Sequence, residues 1–124
     1  MFPKVMVVSV DENMEYLAAT RRRISQNLAD MVAFMHNARC EAFDSTGVRT
    51  CYYDATYKKM FPANSVELVY VDGPSADNGV GDKLPSVDVI RLKDEGWQIG
   101  YIVFDVRINS VRYLLSSGRF DGHR

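Results

Sequence analysis

"VMVVSVDENMEYLAATRRRI", residues 5–24, decides the class of fold. Val5 to Val10 is an apolar, β-branched run of the kind found in strands covered on both faces. Asp11, Glu12 and Asn13 follow at once. Met14, Leu17, Ala18, Ile24 and Leu28 then recur at helical spacing, which predicts a helix over about Glu12 to Leu28. A doubly covered strand running straight into an amphipathic helix is the repeating piece of an α/β fold with a parallel sheet. Arg21 to Arg23 lie partly off the apolar stripe and read as a solvated helix face.

The same alternation continues outward from that stretch. A short strand fits Met31 to Met35 and ends at His36 and Asn37. Val66 to Val71 is an apolar strand broken by Asp72-Gly73-Pro74, and "WQIGYIVFDV", residues 97–106, is a strand ending at Asp105. Pro85 suits the first turn of a helix that continues from Ser86 to Glu95, where Gly96 stops it. Asn109 or Ser110 caps a final helix through Leu115, and Gly118 ends it. Residues 38–64 mix strand formers with turn signals at Asp44 to Gly47 and at Pro62. A hairpin around "STGVRTCYY", residues 45–53, followed by a short helix near Ala55 to Met60, is one reading of them. "SADNGVGDKLP", residues 75–85, is a polar loop that reads either as an active-site lid or as plain surface.

The bulk properties bound the function. A chain of 124 residues is one domain, 1–124, long enough for one core and too short for two. Apolar residues at 47% and charged residues at 25% disfavour both disorder and membrane burial. A net charge of −1 supplies no electrostatic footprint for nucleic acid or an anionic bilayer. With no secretory signal and no apolar run approaching a membrane span, the expected compartment is the cytoplasm. Cys40 and Cys51, separated by ten residues without a second cysteine pair or a nearby histidine pair, are read as reduced thiols rather than zinc ligands.

In parallel sheets, ligands bind beyond the carboxyl ends of the strands. Asp11, His36 or Asn37, Asp72 and Asp105 all fall at those ends, and this is the main functional signal. Each has a plainer reading beside it. Asp11 suits a helix N-cap, Asp72 an Asx turn before Gly73 and Pro74, and Asp105 a pair with Arg107 or a cap. His36 suits either a hydrogen-bonded strand end or a general base. Trp97 and Tyr101 are read as core and rim packing.

The order of "VVSVDENMEYLAATRRRI" (7–24), "VAFMHN" (32–37), "VELVYVDGP" (66–74) and "GYIVFDVRINSVRYLL" (100–115) resembles class I S-adenosylmethionine-dependent methyltransferases, from that family's second strand to the helix after its fifth. The resemblance implies a three-layer, Rossmann-like α/β fragment. Its sheet would be mostly parallel and four-stranded, in the order 3-2-4-5 of the full fold, with helices on both faces. It also implies roles for particular residues. Asp11 stands at the acidic ribose ligand, with Glu12 as the neighbour that substitutes for it, and His36 and Asn37 line the adenine. Asp72 matches the acid after the fourth strand, which in the metal-dependent O-methyltransferases holds magnesium, and Asp105 matches a second acid after the fifth. Both are the hard oxygen ligands magnesium requires. No glycine-rich turn precedes "VVSVDEN", and Gly79 and Gly81 follow the fourth strand, so the cradle for the cofactor is missing and the core reads as trimmed at both ends.

Two functions follow as expectations. One is a methyltransferase-like core, noncatalytic alone, that acts in oligomer or partner assembly. The other is an S-adenosylmethionine-dependent O-methyltransferase whose site another subunit completes, with Asp72 and His36 at the chemistry. A homodimer is expected because few residues follow "WQIGYIVFDV" to cover the edge formed by Ile99, Tyr101, Ile102, Val103 and Phe104. Folding back of residues 119–124 over that edge is the competing arrangement.

Overall fold

The structure, a computed structural model, describes residues 7–61, 64–74, 83–105 and 107–121. The expected start of the first strand at Val5, the turn at Pro62, the body of the lid with Gly79 and Gly81, and the end of the tail lie outside those residues. Strand β1 (Val7–Asp11) leads into helix α1 (Met14–Arg23). The expected continuous helix breaks at Ile24, whose backbone is extended, and resumes as the single turn α2 (Gln26–Ala29). Ser25 makes that second start possible, because its hydroxyl accepts the Leu28 N–H at 3.4 Å. Strand β2 (Val32–His36) then returns parallel to β1, with Asp11 opposite His36.

The ambiguous middle is a hairpin. Strand β3 (Arg39–Phe43) pairs antiparallel with β4 (Arg49–Tyr53), and a 3-10 turn follows at Ala55–Met60. Cys40 faces Tyr52 and Cys51 faces Glu41 across the pair, so the two thiols point to opposite faces, and both are free. Burial pushes the Cys51 thiol up to about 11, which removes it from thiolate chemistry. Asp44 organises the hairpin turn by accepting the N–H groups of Thr46 at 2.8 Å and Val48 at 2.9 Å. The Tyr113 hydroxyl also donates to Asp44 and pins the turn to the last helix.

Strand β5 (Ser65–Val71) pairs parallel with β6 (Gln98–Phe104). Between them lies α3 (Asp88–Asp94), and α4 (Ile108–Ser116) follows β6. α3 starts later than Pro85 predicts. Residues 85–87 are instead spent on pairing with β4, through Cys51 N–H to Pro85 carbonyl at 3.0 Å and Val87 N–H to Cys51 carbonyl at 2.9 Å. Gly96 and Gly118 end their helices in left-handed conformations, φ +86° and +71°, as expected of C-terminal glycines.

The fold is therefore mixed α/β with two parallel pairs, and in place of the expected single sheet of order 3-2-4-5 the described residues form three two-stranded sheets. β1 and β5 do not pair. The 3-10 turn packs against β1, and its Tyr57 enters the core with Val71, Val89, Ile90, Leu92 and Trp97. Val8, Val10 and Met35 pack onto that same core from β1 and β2. The two apolar pairs thus share one core without pairing with each other. Helices on both faces are not found for β5 and β6. α1 packs on the outer side of β1 and β2, whereas on β5 and β6 the pairs Leu68 with Tyr101 and Tyr70 with Val103 stay in solvent. Trp97 is buried as expected, but Tyr101 is 68% exposed.

Asp44 carries one prediction. The Tyr113 hydroxyl first, and then Thr46 and Val48, hold its carboxyl well below the usual carboxylate range. A depressed acid contributes stability above its unfolded pKa and loses it as pH falls toward the folded one. Tyr113→Phe is expected to shrink the loss of stability below about pH 4 and to speed amide exchange at Val48. Urea melts at acid and neutral pH, with exchange NMR, test both.

Candidate functional site

The carboxyl end of β1 is built from backbone and amide contacts. Asp11 Oδ1 accepts the Asn13 N–H at 2.8 Å, and Asn13 Oδ1 in turn accepts the N–H groups of Glu15 at 2.9 Å and Tyr16 at 3.2 Å. Asn13, not Asp11, is the helix cap, and Asp11 orders the residue that caps. The Asn37 N–H donates to the Asp11 carbonyl at 3.0 Å, which joins the ends of β1 and β2. Asn37 is only 3% exposed, and its Nδ2 donates to the Thr56 hydroxyl while its Oδ1 is buried without a hydrogen bond. His36 lies 2.9 Å through Nε2 from the Glu12 carbonyl. Its ring lines a groove of about 230 Å³ between α1 and β2 with Met14, Leu17, Ala18, Arg21 and Phe34.

A second acidic group stands at the ends of β5 and β6. Partial desolvation and the neighbouring Asp105 carboxyl raise Asp72 above the ordinary carboxylate value, while Arg107 opposes the shift and Asp11 adds to it. The charge of Asp11 is also felt at Asp72. Arg107 does not pair with a carboxylate in the expected manner. Its guanidinium donates to the carbonyls of Asp72 at 2.7 Å and Pro74 at 2.9 Å, and its Nε is buried without a partner. Asp72 and Asp105 thereby end neighbouring parallel strands and the Asp11 charge reaches Asp72, while Asn37 is joined to Asp11 and His36 lines the groove beside α1. Among the described residues, no three His, Cys, Asp or Glu side chains gather as a metal site.

Tyr53, which the sequence reading passed over, stands between the two groups. Its hydroxyl abuts Gly73, where a methyl group would lie 2.9 Å from the ring carbon Cζ. Burial and the charges of Asp11, Glu12 and Asp88 push that hydroxyl well above the usual tyrosine range. The Tyr53 N–H donates to Asp88 Oδ1 at 2.9 Å. Ser86 Oγ lies 3.2 Å from the Gly73 carbonyl and 3.3 Å from Asp88 Oδ2, and the Ser86 N–H donates to Ser110 Oγ at 2.9 Å. Burial raises the Asp88 carboxyl to about 6. The only local sign of this acid in the sequence is its place before the apolar run Val89, Ile90 and Leu92.

None of the described helices is long and apolar enough to cross a membrane. Comparison with known proteins finds no match: no family model fits the chain, and no curated protein or solved structure resembles it significantly.

Proposed function

We propose that this chain is a methyltransferase-like core, noncatalytic alone, that works in assembly with a second copy of itself. The bare face of β5 and β6 carries this reading. Leu68, Tyr70, Tyr101 and Val103 are 55, 58, 68 and 43% exposed and adjoin one another in register. Side chains of these sizes present on the order of 500 Å² per chain, at the upper end of what a monomer leaves in water. Two such faces together bury about 1,000 Å², the lower bound of a specific interface. The competing cover is absent in the described part of the tail. Phe120 is buried in the core and Arg119 pairs with Asp94 of α3, so residues 119–121 run to the helical side. The parallel pairs with acids at their carboxyl ends are what the resemblance to methyltransferases asks of a core, and they support that part of the reading. Light scattering at about 10–50 µM should return about twice the 14.1 kDa chain mass, in line with a weak interface of this size. A monomer mass throughout that range would sink the assembly.

The acids Asp72 and Asp105 at the ends of β5 and β6, within reach of the Asp11 charge, favour a second reading, an S-adenosylmethionine-dependent O-methyltransferase completed by another subunit. Methyl transfer needs mainly alignment of donor and acceptor, so few catalytic groups suffice. Calorimetric titration of the natural oligomer with S-adenosylmethionine, with and without magnesium, separates the two. Silence supports the noncatalytic core, and saturable binding supports the enzyme.

A further inference from the structure

We infer that the groove between α1 and β2 is the docking site for an acidic, amphipathic helix of a protein partner. The inference goes beyond the assembly proposed above, because the groove belongs to α1 and β2 and not to the face of β5 and β6. Met14, Leu17, Ala18 and Phe34 form its apolar lining, Arg21 and His36 supply its polar groups, and no acid lines it. Its volume of about 230 Å³ is below the roughly 300 Å³ at which pockets for whole small molecules begin. It suits one large side chain offered by a partner. Met14, at 65% exposure, leaves that slot open to water.

Charge identifies the occupant. Within α1 the one acid, Glu15, lies in the first turn, and Arg21, Arg22 and Arg23 fill the last. All three arginines are exposed, and among the described residues no carboxylate pairs with any of them. The Arg21 guanidinium lies 6.0 Å from the centre of the Phe34 ring, which keeps a cation at the groove itself. Leu17 and Arg21 are about one turn apart, ~6 Å along the axis, so a fitting partner carries its apolar anchor and its carboxylate one turn apart as well. Residues three or four apart on one face of a helix meet that spacing. Exposed ion pairs contribute little each, so burial of the anchor supplies affinity while the arginines supply choice of partner and orientation. The partner's acids lie against the last turn of α1, since Glu15 repels them at the first.

The experiment selects a display library of random peptides, each of about 16 residues and so long enough for a helix, on the parent chain. Enriched peptides are then synthesised and titrated by fluorescence anisotropy. They are expected to carry Leu, Met or Phe with Asp or Glu three or four positions away. Arg21→Glu reverses the charge at the groove, and Ala18→Gln fills the slot; both positions are exposed on α1 and both substitutes are good helix formers. Each should weaken binding at least tenfold, while Arg112→Glu, the same reversal at an exposed position on α4, should leave it unchanged. No enrichment, enrichment of basic peptides, or undiminished binding by folded Arg21→Glu and Ala18→Gln chains overturns the inference. Dissociation of the chain's own dimer by Arg21→Glu, seen by light scattering, makes a second copy the occupant and overturns it too.

Discussion

Asp88→Asn is expected to raise the free energy of unfolding at pH 7.5 by about 2–3 kcal/mol and to leave it nearly unchanged at pH 4. Burial lifts this carboxyl from 3.8 to about 6, against the pull of the Tyr53 N–H, Ser86, Arg91 and Lys58. The folded chain therefore holds a proton in the pH 4–6 window that the unfolded chain releases. Stability from this group is present below pH 4 and is lost as pH rises through about 6, where the ionised form must stay enclosed. The hydrogen bonds agree with a neutral acid. Ser86 has a single hydroxyl proton but lies within reach of both the Gly73 carbonyl and Asp88 Oδ2. A protonated Asp88 donates to Ser86, which frees the Ser86 proton for Gly73. Asparagine reproduces that pattern, keeping an oxygen for the Tyr53 N–H and offering an amide proton to Ser86. Urea melts of parent and variant across pH 4 to 7.5 test the point, and parallel curves would show that Asp88 ionises as it does in water.

What could be read in the sequence was local. The strands Ser65–Val71 and Gln98–Phe104, the hairpin, and the acids that end the parallel strands follow from β-branched runs and from turn residues whose effect reaches only a few positions. Which strands lie side by side is a long-range matter, and periodicity is blind to it. β1 and β5 are each apolar enough to be neighbours, but they pack into one core with Tyr57 without pairing. The residues missed at the candidate site share one trait: their roles come from burial or reach rather than type. Tyr53 reads as an ordinary strand tyrosine, and Asp88 as a first-turn carboxylate, until the fold encloses them. Ile24 likewise fits the helical stripe, and only the cap at Ser25 shows why the helix stops there.

Leu68→Lys with Tyr101→Lys is expected to convert the dimer to a monomer, halving the mass seen by light scattering from about 28 to 14.1 kDa. The two positions face each other across β5 and β6 and are already more than half exposed, so lysine at either keeps its ammonium in water in the monomer. In a two-fold face-to-face pairing, the same substitutions place four ammonium groups in one desolvated patch. The penalty there is several kcal/mol, more than an interface of about 1,000 Å² spares. Monomer stability should therefore change by no more than about 0.5 kcal/mol while association is lost. Arg22→Glu on α1 serves as the control. It alters charge by more than either lysine alone, but it is an exposed position on α1, outside β5 and β6, and should leave the dimer intact. If Arg22→Glu dissociates the dimer and the lysine pair does not, the copies meet through α1 and the groove at Phe34, and the face of β5 and β6 is open in the assembly as well.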